Sequence, residues 1–499
     1  MCKEFALDRV PNNSEILRIL DPQWRALFTE RLKRKSIRTR SGIAVITAIT
    51  KPFDCPHGTC TFCPGGVRFG TPQSYTTSSP AASFGLSRNF DPRRQVEDML
   101  SSLLDNGHDT SKVEMILLGG TILAMPRSYQ ENFVKESFDA LNGRTSDTIQ
   151  EAIKLNEISE HRCVGLTIET KPDWCREEHI DTLLSYGATR VEIGVQSLRE
   201  EVLKYVNRGH TLEDTIRALQ LSKDSCLKVV AHMMPGLPLS DPEKDLEDLL
   251  TLVNNPKYRP DMLKIYPTLL VEGTALYNQY RMGMYTPYEQ DTLVDLLSKF
   301  KKAVPPWLRI MRIQREIPKE EIAAGAKSGN LRQLVLEEME RRGTRCRCIR
   351  CREVGHKAAV INEFERITLE RTEYDSSGGR EIFLSFEDVA SDTLFGFLRL
   401  RIPSGGEYRN EIRETSSALV RELHVYGSVV PLGEKPKAAD VQKPQHRGLG
   451  TRLLEEAERV SLEFDKKKII VISAVGTKEY YRKRGYRDDG PFVSKSLFN

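Results

Sequence analysis

No stretch of the 499-residue chain approaches the roughly 18 uninterrupted apolar residues of a membrane-spanning helix. Its first residues, Cys2, Lys3 and Glu4, are not the apolar run of a secretory leader. A soluble cytoplasmic protein is expected, with no membrane partner. Charge of one sign is also lacking: 74 basic against 70 acidic residues leave a net charge of only +4, a total that says little about nucleic acid. There are no internal repeats and no low-complexity tracts, which excludes a solenoid or a disordered array. Cysteine is too sparse, at ten residues, for the dense disulfide framework of a small secreted domain.

What is present is enough apolar content, 39%, to fill two or three cores, so at least two domains are expected. The charge is patterned although its sum is small. Residues 31 to 40 (RLKRKSIRTR) carry six Lys or Arg and no acid, and 341 to 352 (RRGTRCRCIRCR) carry six Arg and no acid. Either run can grip phosphate or form a solvated face. The cysteines cluster: three fall within Cys55 to Cys63, three within Cys346 to Cys351, and Cys2, Cys163, Cys175 and Cys226 are scattered. Clustered thiols in a large chain of this kind point to metal or redox chemistry.

From about residue 43 to 268, six apolar β-type runs alternate with helical patterns: IAVITAIT, VEMILLGG, CVGLTIET, RVEIGVQS, KVVAHMMPG and MLKIYPT. Strands apolar on both faces and separated by helices predict a parallel sheet, here an α/β partial (β/α)6 barrel. In such barrels the chemistry sits where strands end. Those ends carry the Cys55 loop, Gly119-Gly120, Glu169, Gln196, Met234-Pro235-Gly236, and Lys264 with Tyr266. Beyond Pro305-Pro306 the period breaks into a linker with the second cysteine trio. From about 360 a meander of four strands, hinged first at Gly378-Gly379, predicts a separate α+β domain, closed by a helix from Gly448, a strand at 469 to 474 and a helix at 477 to 484. The expected division is a basic N-terminal segment (1–40), a barrel (41–305), a zinc-bearing linker (306–359) and a C-terminal domain (360–499).

Cys55-x4-Cys60-x2-Cys63 supplies three thiolates on one loop. Four would saturate a 4Fe-4S cluster; three leave one iron open to chelate S-adenosylmethionine, whose reductive cleavage yields a 5′-deoxyadenosyl radical. The four-residue first gap departs from the commoner three. A Cys3His zinc site with His57 is the rival, and the position ahead of six α/β units favours the cluster. Gly119 and Gly120 let the backbone approach S-adenosylmethionine closely, with Glu169 and Gln196 as further contacts. Cys346-x-Cys348-x2-Cys351 reads as a structural zinc site whose fourth ligand is His356 or His424.

Gln445-His446-Arg447-Gly448-Leu449-Gly450 leads straight into an apolar helix, a cradle of free amides for a pyrophosphate. It resembles the phosphate loop of GNAT acetyltransferases, with ELHV (422 to 425) on the strand before it and Tyr480-Tyr481 on the helix where these enzymes often place a phenol near the thioester sulfur. Taken together, KSIRTRSGIAVI, CPHGTCTFCPGG, TIETKPDWC, EIGVQS, NRGHT, VVAHMMPGLP, LKIYPTL, RELHVYGSVV and QHRGLG resemble the family of Elongator catalytic subunits (Elongator protein 3) over nearly the whole chain from about residue 20.

That resemblance implies a radical S-adenosylmethionine barrel fused to a GNAT domain, acting on the anticodon region of tRNA to give 5-carboxymethyluridine at the wobble position. The radical would take hydrogen from the acetyl methyl of acetyl-coenzyme A, the carbon radical would add to uracil C5, and thioester hydrolysis would follow. The cluster falls on Cys55, Cys60 and Cys63. Acetyl-coenzyme A falls on Lys112, Glu422, Leu423, His424, Val425, Leu449, Gly450, Thr451 and Tyr481, and the candidate catalytic side chains are Tyr481, Lys264 and Tyr266. The role of Lys112 would require the barrel to close against the C-terminal domain. Zinc occurs at the second trio in some members only. Residues 1 to 40 are short for the tRNA-binding extension of some members and would do part of its work. A homodimer or Elongator-type subunits are the expected protein partners, and the rival activity is protein lysine acetylation over a non-catalytic barrel.

Overall fold

The computed structural model describes residues 11–33, 42–356, 366–426 and 448–498. Of the basic run at 31 to 40 only the first three residues fall within these, and Gln445, His446 and Arg447 fall outside them. The six expected strands are present as β1 (Ala44–Ile49), β2 (Lys112–Leu118), β3 (Arg162–Thr170), β4 (Arg190–Gln196), β5 (Lys228–Met233) and β6 (Met262–Ile265). They pair in chain order, every pair parallel. A seventh strand, β7 (Arg309–Arg312), continues the sheet with Arg309 opposite Met262 and Ile310 opposite Leu263. The sheet therefore runs past residue 305, where the sequence reading placed a linker. Four residues with arginine at both ends show no period, and Ile310 is the one side chain among them that is fully buried.

Helices cover the outer face. The helix α1 (Pro92–Asp105) starts where Asp91 accepts a hydrogen bond from the Arg94 amide, with proline in its first turn, and buries Val96, Leu100 and Leu103 against β1.

A second seven-stranded sheet follows: β8 (Thr368–Ser376), β9 (Gly379–Asp388), β10 (Thr393–Ile402), β11 (Ser417–Val425), β12 (Lys468–Val471), β13 (Arg487–Asp489) and β14 (Phe492–Ser496). Its order is β8-β9-β10-β11-β12-β14-β13, antiparallel except for β11 and β12. The first hairpin turns on Ser377 (φ 49°) and Gly378 (φ 78°), two left-handed residues as a two-residue primed turn requires. One face of the sheet packs on α2 (Leu449–Glu463).

This sheet also meets the barrel, at the ends where the barrel strands begin. Arg421 donates to Leu227 O (2.9 Å), just before β5, and to Asp261, just before β6. Arg399 donates to Trp307 O (2.8 Å), just before β7. Gly476 lies so close to Arg162, at the start of β3, that a Cβ would stand 2.5 Å from the arginine Cβ. The seam is a buried chain of ions: Asp261–Arg421–Glu381–Arg401–Asp224, with contacts of 2.5, 2.8, 2.9 and 2.7 Å. Removing one member of such a chain leaves an unpaired buried charge, at a cost of about 3–5 kcal/mol. The C-terminal ends of the barrel strands are left for the site.

Candidate active site

A cavity of about 650 Å³ opens at those C-terminal ends, and Cys55, Cys60 and Cys63 all line it. Cys60 Sγ lies 3.2 Å from His57 Nε2 and 4.0 Å from Arg208 Nη1. Cys63 Sγ accepts from the Ser74 amide (3.2 Å) and sits 3.1 Å from Gln73 Oε1. Burial pushes the Cys63 thiol up to about 12, with the charge of Cys60 adding to the rise. Burial raises Cys55 too, against the pull of Arg208 and Lys171. Thiolates this desolvated need a cationic partner, which iron would supply. Burial, with Lys171 and Arg208 nearby, lowers His57 to about 3, so it is neutral.

Among the described residues, two groups hold at least three metal-ligating atoms within 4.8 Å of one another: Cys346, Cys348 and Cys351, and Glu169, Glu192 and His232. The Cys55 loop, with or without His57, is not one of them. Sulfurs sharing one zinc at about 2.3 Å each would be that close. The wider spread fits a multi-iron cluster and disfavours the Cys3His rival.

The expected S-adenosylmethionine contacts surround the same cavity. Only glycine fits at 119, where a Cβ would stand 2.2 Å from Thr50 Oγ1, and Gly120 is left-handed (φ 72°). The Glu169 carboxyl takes a hydrogen bond from Tyr75 Oη (3.2 Å). Burial, then the charge of Glu192, pushes Glu169 up to about 7. Gln196 is held at φ 76° by the end of β4, and its Oε1 is buried without a partner, an open acceptor at the cavity wall. Beneath them Glu192 Oε2 receives both Lys264 Nζ and His232 Nε2 (2.8 Å). Burial would raise Glu192, but the Lys264 ammonium, His232 and Arg190 hold it well below the usual carboxylate range. The His232 ring stands edge-on to Tyr266 at 5.3 Å. Lys264 and Tyr266 are thus brought together in one cluster with Glu192 and His232.

At the other end of the barrel, β11 pairs with β12 only from Ser417 to Val420, so Glu422 to Val425 splay from it. Helix α2 begins at Leu449 after a left-handed Gly448 (φ 71°). A Cβ on Gly450 would meet Tyr480 Oη at 3.0 Å and Val425 Cγ2 at 3.6 Å, so helix start, splayed strand and tyrosine converge. Thr451 Oγ1 accepts from Arg484 Nη2 (2.9 Å), whose guanidinium covers the Tyr480 ring at 3.6 Å. Tyr481, 7% exposed, is packed edge-on between Tyr480 and Tyr486, so Tyr480 is the tyrosine facing Gly450. Glu422 is fixed by Arg399 Nε (2.9 Å), and burial lowers His424 to about 4. Lys112 opens β2 opposite Arg162, the residue on which Gly476 packs, so it lies on the barrel end that meets the second sheet.

The second trio is compact, with Cys346 and Cys348 buried and Cys351 half-buried, and its neighbour is Lys301: Nζ stands 3.3 Å from Cys346 Sγ and 3.8 Å from Cys351 Sγ. His424 does not belong to the group, and the His356 side chain lies outside what the structure describes. His424 instead packs at a tilt against Tyr426, ring centroids 4.4 Å apart. Sequence reasoning missed Lys301, the Glu192–His232 pair, Arg208 and Arg484, and of the Tyr480-Tyr481 pair it settled on Tyr481, whereas Tyr480 is the one that faces Gly450. The strings NRGHT and VVAHMMPGLP carry Arg208 and His232, but their partners come from other strands.

Residues 51–253 match the Radical SAM superfamily and 260–341 the Radical SAM C-terminal domain. The chain is 48% identical over 496 residues to the tRNA uridine(34) acetyltransferase of Methanocaldococcus jannaschii, covering 98% of this chain and 90% of that one. It is 44% identical over 509 residues to Elongator complex protein 3 of Homo sapiens, covering 99% and 91%. The solved structure of Methanocaldococcus infernus Elp3 lacking residues 1–46 superposes with a TM-score of 0.79 at 45% identity, over 91% of this chain and 99% of that one. With a curled parallel barrel, a cysteine loop at its C-terminal mouth and relatives this similar end to end, the chain belongs to the radical SAM family of Elongator protein 3 and the tRNA uridine(34) acetyltransferases.

Proposed function

We propose that this chain carboxymethylates C5 of the wobble uridine of tRNA, with acetyl-coenzyme A as carbon donor and S-adenosylmethionine as radical source. The observation that carries this reading is strand β2, which bears Lys112 at the end facing the second sheet and at its other end brings Leu118 and Gly120 to the cysteine cavity. Plain acetyl transfer would need only the second sheet, and uracil C5 is too poor a nucleophile for it.

Cys55, Cys60 and Cys63 hold the 4Fe-4S cluster, and Gly119, Gly120, Glu169 and Gln196 hold S-adenosylmethionine. When bound, these supply a 5′-deoxyadenosyl radical able to take hydrogen from a methyl group. Lys264 and Tyr266 present an ammonium and a phenol to the reacting centre, the ammonium anchored by Glu192. In the second sheet, read as a GNAT domain from about 360 to 499, the splayed Glu422 to Val425 edge takes the thioester arm. Leu449, Gly450 and Thr451 at the helix start take phosphate, and Tyr481 backs the cleft. Cys346, Cys348 and Cys351 bind a structural zinc in the segment joining the two units, behind a basic N-terminal segment. The tRNA anticodon region is the macromolecular substrate, and a second copy or Elongator-type subunits are the protein partners.

The test is anaerobic reconstitution with dithionite, S-adenosylmethionine, isotope-labelled acetyl-coenzyme A and tRNA. Label is expected on the wobble uridine. Its absence, with lysine acetylation intact in Cys60→Ala, would instead establish the protein acetyltransferase.

A further inference from the structure

Lys264, Arg208, Arg312 and Arg315 line the cysteine cavity, and the first three are engaged. Lys264 Nζ is anchored on Glu192, Arg208 donates Nε and Nη2 to Gly194 O (3.3 and 2.8 Å), and Arg312 is paired with Glu316 at 2.9 Å. Arg315 differs. Its Nη2 donates to Ser74 O (3.1 Å), and its Nη1 is buried with no acceptor in reach. An unpaired N–H of a buried charged group is costly, so it marks the place of an acceptor that a ligand brings.

The segment that carries Arg315 is fixed from both sides. It follows β7, on the stretch read from sequence as a linker, and is tied to the segment after Cys63 through Arg315 on Ser74 O and Ser78 Oγ on Glu321. Ser74 in turn donates its amide to Cys63 Sγ (3.2 Å). Cys63, Tyr266 and Tyr75 are the titratable groups near enough to act on the guanidinium, and both tyrosines line the cavity. The residues expected to hold S-adenosylmethionine, Gly119, Gly120, Glu169 and Gln196, come from the ends of β2, β3 and β4. Tyr266 and Arg315 follow β6 and β7, at the other edge of the sheet.

We infer that Arg315 Nη1 donates to O4 of the target uracil and makes this side of the cavity the pocket that tells uridine from cytidine. The inference rests on the function proposed above and names what recognises its base. A base taken out of its stack is read along its Watson–Crick edge and held against aromatic side chains. Arginine offers donors and no acceptor. Where uracil carries the acceptor O4, cytosine carries an amino group, so cytosine would set donor against donor and leave Nη1 unpaired. With Nη2 spent on Ser74 O, the two-pronged grip that carboxylate and phosphate favour is not offered, whereas a single carbonyl oxygen is satisfied. O4 sits on the ring carbon next to C5, so the same contact fixes the atom to be modified.

The test uses the full-length chain, reconstituted anaerobically, and two tRNA transcripts that differ only in uridine or cytidine at the wobble position. Label from acetyl-coenzyme A and release of 5′-deoxyadenosine are both followed. Wild type is expected to label the uridine transcript far faster. In Arg315→Gln, whose amide can donate or accept, labelling of uridine is expected to fall about tenfold and the preference over cytidine by at least as much, with 5′-deoxyadenosine release retained. Arg315→Lys, which keeps a charged donor, is expected to keep the preference. A glutamine variant with the wild-type preference overturns the inference. So does equal loss on both transcripts, the mark of a contact to the sugar-phosphate chain, and so does loss of 5′-deoxyadenosine release, the mark of a contact to S-adenosylmethionine. Wild type that labels neither transcript overturns the proposed function first.

Discussion

The molecule holds two cysteine trios of similar sequence spacing, and their surroundings differ in every respect that matters to a metal. Cys55, Cys60 and Cys63 stand apart around a wide cavity, among buried cations, with polar groups such as Gln196 Oε1 still unpaired. Cys346, Cys348 and Cys351 are drawn within 4.8 Å of one another, with an ammonium against two of the sulfurs. There, hydrogen bonds among the three thiols lower Cys348 and raise Cys346, whereas burial is the main force that drives Cys63 up. One trio is built around empty space and the other around a point. The first suits a group with an open face that does chemistry, the second an ion that closes a fold.

The largest effect that separates them is Cys60→Ala. It is expected to abolish cluster absorbance and tRNA modification while thermal unfolding is little changed, so surviving modification would erase the distinction. Cys348→Ala comes next: zinc measured by mass spectrometry should be lost and the melting temperature should fall, with cluster absorbance retained after reconstitution. Lys301→Met removes a group that only contacts the ligands, and a metal affinity weakened by about tenfold is expected in a chelator competition. Lys301→Arg, keeping the charge, should recover part of it. The smallest effect is expected from His57→Ala. Because His57 is not gathered into a compact ligand set, iron content per chain should be unchanged, and a parallel loss of iron would return the Cys3His reading to contention.

Much of this was legible in the sequence. Strong alternation between apolar runs and helical periods located β1 to β6, and left-handed turn chemistry located the Ser377-Gly378 hairpin within one residue. Both trios stood out by spacing alone. What stayed hidden depends on contacts between distant segments. β7 is strand only because β6 offers it an edge. Lys301 lies on a helix 45 residues before the sulfur it touches, and nothing local marks it. Tyr480 and Tyr481 are adjacent and alike, and only the close approach of Gly450 decides which faces the helix start. The family resemblance, not the local sequence, implied that the barrel closes against the second domain, and Gly476 against Arg162 is one such contact.

The arginine seam has a consequence for anyone who would cut or graft this chain. Arg399, Arg401 and Arg421 each satisfy groups on the barrel, and the buried carboxylates of Asp224 and Asp261 of the barrel are ion-paired to these arginines of the second sheet. Truncation near residue 360 would leave two carboxylates stranded on a bared surface. A C-terminal unit transplanted from a relative would dock well only if its arginines matched these acids.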